Sequence, residues 1–158
     1  MERKTKINAE SGRQEITITR EFDLPIELLF TAYVEPDIIE QWMGTKVIKL
    51  ESKKHGSYQI ETSDNNGNAA FRANGVIHEL ITNKKITRTF EMEGTPFGVQ
   101  LEVYEFEQVS EDTSKLTMHV IYESVAQRNQ VLQLPFAQGI NMAHDRIQDI
   151  LTKQNNPL

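Results

Sequence analysis

From Gly44 to Ser124 the chain reads with a period of two, and only beyond Ser124 does a single long apolar stripe at helical spacing appear. That order constrains the fold more than any other feature. Val47 to Leu50 is separated from residues 57–62 by His55-Gly56, and Asp64-Asn65-Asn66-Gly67-Asn68 is a dense turn signal before the next run. Residues 69–81, 85–92, 97–108 and 115–122 are four further strands, parted by Thr82-Asn83-Lys84, by Gly94-Thr95-Pro96 and by the polar stretch 110–114. Connections this short predict an antiparallel meander. Within residues 97–108 the apolar phase slips, from Phe97, Val99, Leu101 and Val103 to Tyr104 and Phe106. A bulge absorbs such a slip, so a bend is expected there.

Upstream, Ile16, Ile18 and Phe22 alternate with Thr17, Thr19 and Glu21, the pattern of a half-buried first strand. Pro25 suits a first helical turn and Glu27 follows near the positive end of the helix dipole, which predicts a short helix over residues 25–34. Pro36, Asp37 and Glu40 repeat the signal, and Gly44 ends a second short helix running through Trp42. Residues 1–14 are polar, with Ile7 the only sizeable apolar side chain, and they are expected to form a flexible arm.

The last element starts at Ser124, where Ser124-Val125-Ala126-Gln127 fits a capping box. Leu132, Phe136, Ile140, Ala143, Ile147 and Leu151 then form one stripe. Pro135 removes a helical hydrogen bond inside it, so a kink or break is expected near residues 130–135, and Asn155, Asn156 and Pro157 end the helix. One strand, two short helices, six strands and one long helix make an α+β fold with an antiparallel sheet of about seven strands. The economical arrangement curls the sheet round the last helix, and the space between them need not fill. The expected division is an arm over 1–14, a single domain over 15–153 and a tail over 154–158.

At 158 residues the chain is long enough to bury a core without staples, and it contains no cysteine, which excludes disulfides and thiol chemistry and fits a reducing compartment. A net charge of −6 argues against nucleic acid as a partner. The absence of a long apolar run argues against a membrane span or secretory signal, and the expected location is cytoplasmic.

Several segments, taken in order, resemble one known family. They are Ile16 to Pro25; Glu35-Pro36-Asp37-Ile38-Ile39-Glu40-Gln41-Trp42; Gly56-Ser57-Tyr58 leading to Phe71-Arg72-Ala73-Asn74-Gly75-Val76-Ile77; Lys85-Ile86-Thr87-Arg88-Thr89-Phe90; and Gly139-Ile140-Asn141-Met142-Ala143-His144-Asp145-Arg146-Ile147. Over residues 15–152 the chain resembles the START-like, or SRPBCC helix-grip, superfamily, and within it homologues of the C-terminal domain of the heat-shock-protein-90 ATPase activator. The resemblance implies a cavity between sheet and C-terminal helix for an apolar small molecule. It names no ligand, and it makes a chaperone the alternative partner.

Motifs for chemistry are few. His55, His78, His119 and His144 fall on four different elements with no metal-ligand spacing, and no P-loop, dinucleotide fingerprint or nucleophile elbow is present. No metal or cofactor is expected. Arg88 stands out because Ile86, Phe90 and Met92 share its strand face. Either its guanidinium points into the cavity to hold a ligand carboxylate or enolate, or it snorkels to the rim or pairs with an internal acid. Trp42 and Tyr58 either line the mouth of a pocket or pack in the core. Met118, Met142 and Phe136 are expected to face inward. The candidate ligand-binding set is Trp42, Tyr58, Arg88, Phe90, Met118, Phe136 and Ile140. Three functions follow: a small-molecule binding protein, a cyclase- or hydrolase-like enzyme using the same cavity with Arg88, Tyr58 and Glu79 as helpers, or a chaperone-directed interaction module. The chain is expected to be a monomer or homodimer.

Overall fold

The computed structural model describes residues 3–155. Eight strands form one antiparallel sheet: β1 (Lys6–Asn8), β2 (Glu15–Phe22), β3 (Lys46–Leu50), β4 (Ser57–Ser63), β5 (Ala69–Ile81), β6 (Lys85–Met92), β7 (Val99–Ser110) and β8 (Thr113–Ile121). Four helices complete the described residues: α1 (Ile26–Val34), α2 (Pro36–Met43), α3 (Val125–Leu132) and α4 (Phe136–Asn155). The strand order is β1-β2-β8-β7-β6-β5-β4-β3, so the meander from β3 to β8 ends against the first long strand. The sheet is curved and open, α4 crosses its inner face, and the architecture is α+β.

The sheet has one strand more than the sequence reading. Residues 6–8 pair with residues 17–19, which corrects the expectation of a flexible arm for this part of residues 1–14. Docking offsets the ordering entropy. The Thr5 N–H donates to Asn141 Oδ1 at 3.0 Å, and the buried Arg128 donates to the Glu10 carbonyl at 2.7 Å. Met1 and Glu2 of the expected arm lie outside the described residues. So do residues 156–158 of the expected tail, including the stop signals Asn156 and Pro157, whereas Gln154 and Asn155 are still helical.

The local signals behave as the residues dictate. Gly44 closes α2 in the left-handed region at φ 67, its N–H bonded to the Glu40 carbonyl at 3.1 Å. Ser124 caps α3 by accepting the Gln127 N–H at 3.1 Å. Residues 133–135, ending in Pro135, separate α3 from α4, the break that the proline predicted.

The expected bulge inside residues 97–108 is absent. Residues 99–105 of β7 pair in unbroken register with β6, and the register shifts fall elsewhere, between Val47 and Lys49, Thr62 and Ser63, Ile77 and Glu79, and Gln108 and Ser110. No phase slip exists to absorb. Gln100, Glu102, Tyr104 and Phe106 share the inner face, while Val99 and Leu101 are exposed on the outer one. Alternation was read from the apolar side chains, and here polar residues hold inner positions.

The core joins Ile16, Ile18 and Phe22 of β2 to Leu29 and Phe30 of α1, to Phe106 and Leu116 of the sheet, and to Ile147 and Leu151 of α4. The α4 stripe is not packed evenly. Ile147 and Leu151 are fully buried, whereas Phe136, Ile140 and Ala143 toward its N-terminus are only partly so. Met142, expected inside, is exposed, because it falls off the stripe.

Candidate functional site

A cavity of about 530 Å³ lies beneath that loosely packed half of α4. Trp42 and Met43 of α2 wall one side. Arg88 and Phe90 of β6, Gln100, Glu102 and Tyr104 of β7, and Met118 and Val120 of β8 form the floor. Leu134, Pro135, Phe136 and Ile140 cover it from the helical break onward, and Leu134 and Pro135 are exposed to solvent. A second hollow of about 230 Å³ shares Phe90, Gln100, Glu102, Tyr122, Leu134 and Phe136 with it.

Of the seven candidate residues, Trp42, Arg88, Phe90, Met118, Phe136 and Ile140 line the cavity. Tyr58 does not. It lies behind Arg88, against a smaller hollow, and donates its hydroxyl to the Thr89 carbonyl at 2.5 Å. The proposed helper Glu79 is also away from the cavity, at the surface, where the hydrogen bond from Lys85 holds its carboxyl below the ordinary range.

Arg88 carries the polar end of the cavity. Its Nε donates to Glu102 Oε1 at 2.8 Å and its Nη2 to the Tyr104 hydroxyl at 2.9 Å. The guanidinium carbon sits 4.8 Å from the Tyr58 ring centre and 4.9 Å from that of Tyr104, so the planar cation lies against two aromatic rings. Tyr104 donates its hydroxyl to Glu102 Oε1 at 2.9 Å, and Gln100 donates to Glu102 Oε2 at 2.7 Å. Both carboxylate oxygens are therefore engaged. Burial disfavours charge on Arg88, yet the oxygens of Tyr104, Tyr58 and Glu102 hold its pKa above the ordinary range. Burial raises the phenols of Tyr33, Tyr58, Tyr104 and Tyr122, which keeps them protonated. Of the sequence readings of Arg88, the pairing with an internal acid is the one observed, at a residue that also borders the cavity.

A different polar group closes the far wall. His144 of α4 is buried, packs edge-on to the Phe22 ring at 5.6 Å, and places Nδ1 2.7 Å from the Thr5 hydroxyl. Burial, and then the nearby Arg20 cation, lower its pKa to about 4, so the imidazole is neutral near pH 7. Arg20, also buried, donates Nη2 to Asp145 at 2.9 Å. Among the described residues no group of three His, Asp or Glu side chains could hold a metal ion. No helix among them is long and apolar enough to cross a membrane.

Sequence reasoning missed Gln100, Glu102, Tyr104 and His144. Glu102 stands directly opposite Arg88 across the β6–β7 register, and that pairing was the one signal able to find it. His144 follows Ala143 on the stripe and gave no sign by spacing that a residue as distant as Thr5 would meet it.

A curved antiparallel sheet gripping a long C-terminal helix over a partly hollow interior defines a START-like, helix-grip protein. The model of the family described as Activator of Hsp90 ATPase homolog 1-like protein matches residues 23–152, and the chain belongs to that family. Among solved structures, a Rhodobacter sphaeroides protein is similar at 18% identity and a TM-score of 0.84, over 94% of this chain and 98% of that one. A Mycobacterium smegmatis protein is similar at 19% identity and a TM-score of 0.81, over 92% and 95%. An Arthrobacter aurescens protein solved by NMR is similar at 16% identity and a TM-score of 0.83, over 97% and 94%. At these identities the likeness is one of fold. No curated protein sequence matches the chain.

Proposed function

We propose that this protein binds an apolar or amphipathic small molecule in the cavity between the sheet and the first half of α4, with the ligand's polar end at Arg88. The observation that carries the reading is the uneven packing of one helix stripe. Ile147 and Leu151 are sealed in the core, while Phe136 and Ile140 border about 530 Å³ of unfilled space. A hollow this large, mainly apolar and with one cluster of convergent polar groups, has the form of a ligand site.

The family description also names activation of the Hsp90 ATPase. Such a role would act through the outer surface, whereas the built feature of this molecule is internal, and the cavity reading is therefore preferred. Native mass spectrometry of protein purified without detergent tests it. Retained mass that disappears in a cavity-filling Ile140→Trp variant is the expected result. Ligand retention unchanged by that substitution would exclude the cavity as the site.

A further inference from the structure

Resting on the cavity as a ligand site, we infer that its occupant is electrically neutral and presents an acceptor oxygen, a carbonyl or a hydroxyl, to Arg88. The charge balance of the lining carries this. Among the described residues Arg88 is the only Lys or Arg of the lining and Glu102 its only carboxylate, and the two are joined at 2.8 Å. The tyrosine hydroxyls and His144 add no charge near neutral pH. A carboxylate entering the cavity would lose its hydration and meet a cation already neutralised, with the Glu102 anion beside it.

A neutral oxygen needs only a donor, and Arg88 retains one. Its Nε and Nη2 are used, while Nη1 has no hydrogen-bond partner among the described residues. The Arg88 side chain as a whole is 19% exposed and borders the cavity. Glu102 is already engaged on both oxygens, accepting from Arg88 and Tyr104 on Oε1 and from Gln100 on Oε2. The site therefore offers a donor without offering a net charge.

Matched ten-carbon probes test this by titration at about pH 8, where a free carboxyl is ionised. Decanol, methyl decanoate, decanoate and decane are compared on the same protein. The alcohol and the ester are expected to bind at least about tenfold more tightly than decanoate, and more tightly than decane. A Glu102→Gln variant, checked for folding by circular dichroism, is expected to gain affinity for decanoate by about tenfold while the ester changes little. Decanoate binding as tightly as the ester in the unaltered protein overturns the neutral-ligand inference and leaves the cavity reading standing. Failure of all four probes to bind overturns both. The comparison within the unaltered protein decides the matter even where the variant does not fold.

Discussion

Arg88 and Glu102 occupy directly opposed positions on β6 and β7 and are joined at 2.8 Å, with side chains only 19% and 6% exposed. Each makes the other tolerable in the interior. Removing one partner leaves a buried charge unmatched, at a cost of about 3–5 kcal/mol, whereas replacing both with apolar residues of similar size is close to neutral. Urea denaturation of Arg88→Met, Glu102→Leu and the double variant should show each single change costing several kcal/mol and the double costing less than either. Additive losses would mean that the pair is not coupled.

Gly75 stands opposite Tyr58 in the β4–β5 register. A Cβ at Gly75 would overlap the Thr89 carbonyl oxygen and come within 2.6 Å of the Tyr58 ring and hydroxyl. Tyr58 is the ring that backs Arg88, so the small residue is needed for the polar end of the cavity to assemble. Gly75→Ala should lower stability by about 3 kcal/mol, because backbone cannot retreat as a flexible side chain can. A thermal melt matching the parent protein would show that the strands have room to separate.

His144 makes stability depend on acid. The unfolded imidazole takes up its proton near pH 6.5, while the folded one resists until about pH 4. Between these values the unfolded chain binds more protons, so this contribution is complete above pH 6.5 and is lost as the pH falls toward 4, by about 3 kcal/mol in all. Chemical denaturation across that range should fall more steeply for the parent than for His144→Gln, which lacks the titrating group. Parallel pH profiles would place the acid sensitivity on other groups.

Trp42 is the only tryptophan of the chain, is half-buried and lines the cavity with its Nε1 bonded to the Ala32 carbonyl at 2.7 Å. An apolar molecule entering beside it replaces water with hydrocarbon. Its emission should shift to the blue and saturate at the stoichiometry found by mass spectrometry. Saturable binding that leaves the Trp42 spectrum untouched would put the molecule elsewhere.

Much of the fold was legible in the sequence because the decisive signals are local. Gly44 ends α2, Ser124 starts α3 and Pro135 divides α3 from α4 through backbone conformation and hydrogen bonding alone. Part of the candidate site was legible for the same reason, since Arg88 stands out among Ile86, Phe90 and Met92 on one strand face. Glu102 was not. Two polar residues on the inner phase of β7 looked like an outer face, and Val99 and Leu101 looked like an inner one.

The amino-acid order alone determined the class: strand, helices, meander, capped and broken final helix, with an uncommon cation in an apolar row. Tertiary structure alone decided which face of β7 turns inward, that Lys6–Asn8 join the sheet, and that Thr5 meets His144. The division has one cause. Apolar periodicity reports what a segment prefers by itself, whereas a buried charge is acceptable only once another strand supplies its partner, and that meeting exists only in the folded chain.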